Sequence, residues 1–337
     1  MEFSFLYLVA SFGGGLLGAA LGGLPVFVLC GVAAVVGAGI TAATGDATFM
    51  NLVAFGPLLG PQVSFAGGAA AAAYAAKKGK LSSGRDIVTA MMGIKSMDTL
   101  IVGGLFGVLG YLLWWALANL PMIGDTGATN PIAFSIVINA IIARLLFGKT
   151  GVFGKVRSGD NRWRASDVAA WLPWQTQPVE LLVVGISFGL VVAFSTVQMP
   201  ALAGVWFGIS VASLVFLQYG TTVPVWHHIA LSTEFVIAIG GADLWWGVTF
   251  AVLAAFLGDF FGMLFTAHGD NHIDPPSATL ATTFTLMAIL KATGLLAVHG
   301  TASLVILVVV SALCFGVFTA LKSRPHAAVE GAPSAAD

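Results

Sequence analysis

Apolar residues run along this chain in long unbroken stretches, separated by short segments rich in Gly, Pro, Asp and basic side chains. Stretches of about 20 apolar residues have the length of a helix that crosses about 30 Å of hydrocarbon. They do not alternate between two faces, which argues against a β-barrel. The pattern predicts helical spans near residues 3–22, 25–43, 50–76, 97–118, 131–148, 178–198, 200–218, 223–241, 244–267, 276–296 and 300–321. The expected fold is an all-α polytopic membrane protein.

Composition agrees with that pattern. With 58% hydrophobic and 9% charged residues in 337, the chain has too few polar groups to face water over a particle of this size, so lipid is the expected solvent. Cys30 and Cys314 both sit in apolar stretches and read as inert buried thiols. The first stretch lacks a positive leader and is read as a retained helix. The polar tail 325–337 is expected to be disordered.

Basic residues set the orientation. Lys77, Lys78, Lys80 and Arg85 follow the third span, Lys149, Lys155, Arg157, Arg162 and Arg164 the fifth, and Lys322 and Arg324 the last. An N-terminus outside and a C-terminus in the cytoplasm place all three clusters inside, in a plasma (inner) membrane. The clusters are thereby accounted for, and no nucleic-acid partner is expected. Trp171 and Trp174, beside Pro173 and Pro178, suit an interfacial anchor where the central loop returns to the membrane.

A short motif occurs twice. Gly124-Asp125, followed by Asn130-Pro131, reappears as Gly269-Asp270, followed by Asp274-Pro275, each copy opening an apolar span. Ser11-Phe12-Gly13 resembles Ser187-Phe188-Gly189, Phe55-Gly56 with Pro61 resembles Tyr219-Gly220 with Pro224, and Ala90 to Gly93 resembles Ala255 to Gly258. The order is the same in both halves, so the chain reads as an internal duplication: a first repeat 1–148, a basic linker 149–177, a second repeat 178–298, an extra helix 299–324 and the tail 325–337. With an odd number of spans per repeat, the repeats are expected to be inverted, five plus five, as in many carriers.

Candidate chemistry gathers at two interruptions. Pro57 and Pro61 among glycines cannot sustain an unbroken third span, and Pro224 breaks the corresponding place in the second half. Paired breaks point to a binding site, which nominates Gln62, Ser64, Thr222, His227 and His228 as substrate contacts. Glu234, seven residues after His227 and on the same helical face, joins Asp259 and Asp98 as candidates for carrying a coupling ion or proton. Asp259 has no cation near it in sequence, whereas Lys95 is spaced to pair locally with Asp98. Asp125, Asn130, Asp270 and Asp274 are candidate gating residues, with Asn130 and Asp274 also placed to cap the helices that begin at Pro131 and Pro275. His268 and His272, with the neighbouring aspartates, are a weaker candidate for a metal site.

These features lead to an expected secondary transporter, coupled to protons or sodium, that moves a small polar or anionic solute by alternating access. A channel-like facilitator or a membrane metal-binding protein or metalloenzyme built on His268 to Asp274 are the alternatives. No Walker, HExxH or GxSxG motif is present, and no resident cofactor or enzymatic activity is expected. Expected partners are the solute, lipid and a second copy of the chain.

Overall fold

Glycine, proline and short polar residues mark where the helices begin and end. The computed structural model describes residues 1–156 and 160–323, so the expected disordered tail, with Arg157 and Arg324, lies outside the described residues. In chain order the α-helices are α1 (Phe5–Leu21), α2 (Gly23–Thr44), α3 (Ser64–Lys77), α4 (Met97–Ala118), α5 (Pro131–Phe147), α6 (Pro178–Gln198), α7 (Val205–Ser213), α8 (His227–Glu234), α9 (Leu244–Phe261), α10 (Pro275–Ala292) and α11 (Thr301–Lys322). Among the described residues there is no strand. The Ser4 hydroxyl caps α1 by accepting the Tyr7 N–H, a Gln177/Glu180 capping box opens α6, and α2 stops at Gly45, whose left-handed φ of 76° favours glycine.

Among the described residues five helices are long and apolar enough to cross a membrane: Gly23–Thr44, Met97–Ala118, Pro178–Gln198, Leu244–Thr266 and Thr301–Lys322. Phe5–Leu21, Pro131–Phe147, Val205–Tyr219 and His227–Ile239 are shorter apolar helices. The uniform spans expected from hydropathy are thus replaced by a mixture of full-length and short helices. The third span is broken as its prolines require: a π-helical turn (Met50–Ala54) and a non-helical stretch precede α3. In the second half a 3-10 turn (Leu214–Tyr219) and an extended stretch precede α8.

Packing partners recur between the halves. Helix α1 lies against α3 and α4, and α4 against α5; α6 lies against α8 and α9, and α9 against α10. Across the boundary, α2 packs on α7 and α5 on α10. Both cross-boundary pairs are antiparallel. Gly31 of α2 abuts Ala212 and Val35 abuts Gly208, while the start of α5 meets the middle of α10 through Thr129 and Ala281 and its end meets Asn271 through Arg144. Three of the four motif correspondences occupy like places in the two halves. The fourth does not: Ala90 to Gly93 forms the turn before α4, whereas Ala255 to Gly258 lies inside α9.

The bundle has two distinct ends. At the first, the amino terminus meets Asn119, Asp125 pairs with Lys291, and Asp243 caps α9 while accepting the Gly300 N–H. At the second, Lys80 pairs with Asp98, Lys77 reaches the Leu146 carbonyl, and Asp270 holds the Lys149 N–H and the Thr150 hydroxyl. Asp125 and Asp270 therefore lie beyond opposite ends of α5. Outward faces are apolar: Val305, Val308, Leu313 and Val317 of α11 and Val183, Val191 and Phe194 of α6 are exposed.

Close helix contacts depend on glycine. A Cβ on Gly18 would collide with the Ser64 carbonyl, and one on Gly110 with the Gln62 carbonyl, so α1 and α4 hold the broken segment directly. Gly18→Ala and Gly110→Ala should each lower stability by about 1–3 kcal/mol, as overpacking does. Gly39→Ala, where a Cβ meets nothing within 4 Å, should not. Thermal unfolding of the purified variants checks this.

Candidate functional site

The first broken segment and α8, the helix that follows the second, meet around a cavity of about 370 Å³. Its wall takes Phe55, Pro61 and Phe65 from the first break and His227, Leu231 and Glu234 from α8. The cavity runs from Asn51, Gly204 and Ile239 near the first end to Phe65, His227 and Asp274 in the interior. Below it, Leu24, Phe27, Phe65, Leu172 and Val225 form an apolar plug. A second pocket of about 380 Å³, lined by Leu24, Trp171, Leu172, Thr222 and His272 among others, lies on the other side of that plug.

His227 and Glu234 sit where their spacing places them, on one wall of this cavity. The His227 ring packs edge-on against Phe27, with centroids 5.2 Å apart, and its Nδ1 has no hydrogen-bond partner. Glu234 is 3% exposed; its Oε2 accepts the Gly204 N–H at 3.1 Å, whereas Oε1 has no partner. Asn130 and Asp274 also line the cavity, and each caps a helix, accepting the Ala133 and Ser277 N–H groups respectively at 2.9 Å. His272 Nε2 lies 3.2 Å from Asp274 Oδ1.

The other sequence candidates are placed elsewhere. Gln62 is fully buried, but its Nε2 donates to the Phe55 carbonyl at 2.7 Å and braces the break. Ser64 does the same through the Leu59 carbonyl at 2.8 Å. Both satisfy backbone oxygens freed by the break, and neither reaches the cavity wall. His228 is directed away, toward Trp171 and Gly258, because adjacent helical residues diverge by about 100°. Thr222 is exposed at the second pocket.

Asp259 is not isolated. Lys322 of α11 brings Nζ within 2.6 Å of its Oδ2, and the Thr176 hydroxyl donates to Oδ1 at 2.6 Å, so the last helix supplies the cation. Asp98 pairs with Lys80 instead of Lys95, which adopts a left-handed φ of 55° just before α4; Ser96 and Tyr74 also donate to it. Asp98 and Asp259 thus tie elements together at the second end, away from the cavity. His268 meets the Arg162 carbonyl, His272 meets Asp274, and among the described residues no three His, Cys, Asp or Glu side chains gather to hold a metal.

Two features escaped the sequence reading. Arg144, 1% exposed, gives Nε to Asn271 Oδ1 at 2.8 Å and Nη1 to the Phe265 and Val152 carbonyls at 2.6 and 2.9 Å, clamping the second motif copy. Phe27, Phe55, Phe65, Phe207 and Phe235 give the cavity an aromatic wall. The clamp has a signal, an arginine within an apolar span; the phenylalanines resemble ordinary core residues.

The fold and site together define a helical bundle of two similarly packed halves around a shared cavity. The chain belongs to DUF7973, a family of unknown function, whose model matches it twice in succession, over residues 1–163 and 157–306. No curated protein and no solved structure matches the chain.

Two charge pairs give measurable expectations. Lys322→Met leaves the buried Asp259 carboxylate unpaired and should cost about 3–5 kcal/mol, while Asp259→Asn in the same chain should recover most of it; unfolding in detergent reads both. At the first end, the hydrogen bond from Lys291 holds the exposed Asp125 carboxyl below its ordinary value. That contribution is present above the unfolded carboxylate pKa and is lost as pH falls through the lowered value. The stability difference between wild type and Lys291→Met should therefore shrink in acid.

Proposed function

We propose that this protein is a secondary transporter that moves a small organic solute through the cavity between its halves by alternating access. The observation that carries the reading is the cavity that the first interrupted segment shares with α8, the helix that follows the second interruption, since irregular backbone at membrane depth is tolerated where it lines a cavity. The antiparallel packing of α2 on α7 and α5 on α10 supports inverted halves, because equivalent helices run antiparallel only when the pseudo-twofold axis lies across them. Asp125 and Asp270, at opposite ends, agree with this. The lysines and arginines of residues 77–85 and 149–164, with Lys322, favour a cytoplasmic second end and an amino terminus outside, in the plasma (inner) membrane.

A carrier is favoured over a channel-like facilitator by the apolar plug, which separates the cavity from the second pocket. Rocking of the halves would open one and close the other. Glu234 and His227 are the groups on the wall suited to exchange a proton or bind a coupling cation, and the divided histidines favour transport over metal chemistry. No enzymatic activity is proposed.

The test is counterflow in proteoliposomes with a labelled panel of small amines, carboxylates and neutral solutes. Wild type should show saturable, trans-stimulated exchange of at least one class, lost by more than about tenfold in Leu231→Trp, which fills the cavity without altering its charge. Flux that is linear in concentration and insensitive to trans solute would support the facilitator. A folded wild type that carries no solute of the panel above empty liposomes would contradict transport.

A further inference from the structure

The polar groups on the cavity wall are unequal in sign. Among the described residues the wall carries two carboxylates, Glu234 and Asp274, and no lysine or arginine. Helix N-termini facing the site would favour an anion, yet two of these are already answered within the protein. Asp274 caps α10, and Glu234 Oε2 accepts the Gly204 N–H immediately before α7. An anionic solute would meet like charge where it needs donors.

Glu234 Oε1 is an acidic oxygen of the wall without a counterpart. The residue is 97% buried by its 3% exposure, reaches the cavity wall and keeps this oxygen free of any hydrogen bond. A buried carboxylate oxygen with no donor is costly, and a cationic donor placed in the cavity relieves that cost directly. Phe207, three residues beyond Gly204, lines the same cavity and packs with Phe55 at 5.2 Å, Phe27 at 6.0 Å and the His227 ring at 6.1 Å between ring centroids. Phe27 continues the wall to Phe65, at 5.4 Å. The faces of such rings attract an ammonium group, and their area favours an apolar body.

We propose that the cavity binds an organic ammonium ion, with the charged nitrogen at Glu234 and an apolar or aromatic body lying along Phe207, Phe27 and Phe65 toward His227. His227 and Glu234, seven residues apart on α8 and its face, stand about 10 Å apart along the helix axis, which sets the length of molecule that spans them. His227 Nδ1, also without a partner, serves as an acceptor for a polar group at the far end of a longer ligand. A bare sodium ion satisfies the carboxylate but leaves the aromatic wall uncontacted, so the wall selects the organic cation. This inference names the solute class of the carrier proposed above and rests on that reading for its transport role; the binding itself is measured without transport.

Three probes of nearly one shape separate the alternatives: 2-phenylethylamine, 3-phenylpropionate and 2-phenylethanol, titrated calorimetrically into the full chain in detergent or nanodiscs. The amine should bind at least about tenfold more tightly than the carboxylate. Glu234→Gln keeps an oxygen to accept the Gly204 N–H and should retain the fold, as its unfolding temperature will show, but should weaken the amine by at least about tenfold and change the alcohol by less than about twofold. Phe207→Leu should reduce the preference for amine over alcohol. The proposal is overturned if the carboxylate binds as well as the amine, if Glu234→Gln leaves amine affinity unchanged, if the amine fails to bind at about 10 mM, or if sodium in place of potassium stabilises the protein as much as the amine does. Amine binding with no amine counterflow removes the carrier reading and leaves the site; counterflow of another class with no amine binding removes the site and leaves the carrier.

Discussion

A polypeptide that breaks a helix inside an apolar bundle must find partners for the backbone groups it releases, since no water is there to take them. Here the first break is braced from within. Gln62 Nε2 takes the Phe55 carbonyl, the Ser64 hydroxyl takes the Leu59 carbonyl, and glycines at 18 and 110 let α1 and α4 approach the broken backbone closely. In the second half the Gln175 side chain does comparable work, donating to the Val225 carbonyl at 2.9 Å and accepting the Val225 N–H at 3.0 Å. Both breaks are thereby fixed in place, the first at the wall of the aromatic cavity and the second ahead of α8, which completes that wall.

That constraint explains how labour is divided among the polar residues. Gln62, Ser64 and Gln175 are spent on holding backbone, and His227 and Glu234, at the two ends of α8, are left to face the cavity. Charges at the second end link segments: Lys80 with Asp98, Lys322 with Asp259, and Arg144 with the loop at 265–271. The first end is linked more sparsely, by Asp125 with Lys291 and by Asp243 with Gly300 and Ser303. Partial burial raises the Asp243 carboxyl, but the Ser303, Gly300 and Trp246 donors outweigh it and hold the group below its ordinary value. The cavity reaches toward this more sparsely tied end.

Features governed by local chemistry were legible in the sequence. The caps at Asn130 and Asp274 follow from a side chain placed before proline, the break before α3 from Pro57 and Pro61, and the shared face of His227 and Glu234 from helical periodicity. Features that depend on distant segments were not. Lys322 reaches Asp259 only because α11 packs on α9, and Lys80 displaces Lys95 at Asp98 through a turn whose geometry no spacing rule supplies. The phenylalanine wall was hidden for a different reason: an aromatic side chain facing a cavity and one facing a core give the same apolar pattern. Span lengths were overestimated because hydropathy continues through the 3-10 and π-helical turns that end α7 and α8.

In the arrangement proposed above, two copies of one helical unit lie in the membrane with opposite polarity around a common cavity. The most direct measurement is sided labelling of single cysteines at residues 125 and 270, with Cys30 and Cys314 replaced, in sealed vesicles of known orientation. An impermeant reagent should reach residue 125 from the outside and residue 270 only after the cytoplasmic face is exposed. Labelling of both from the same face would contradict that arrangement.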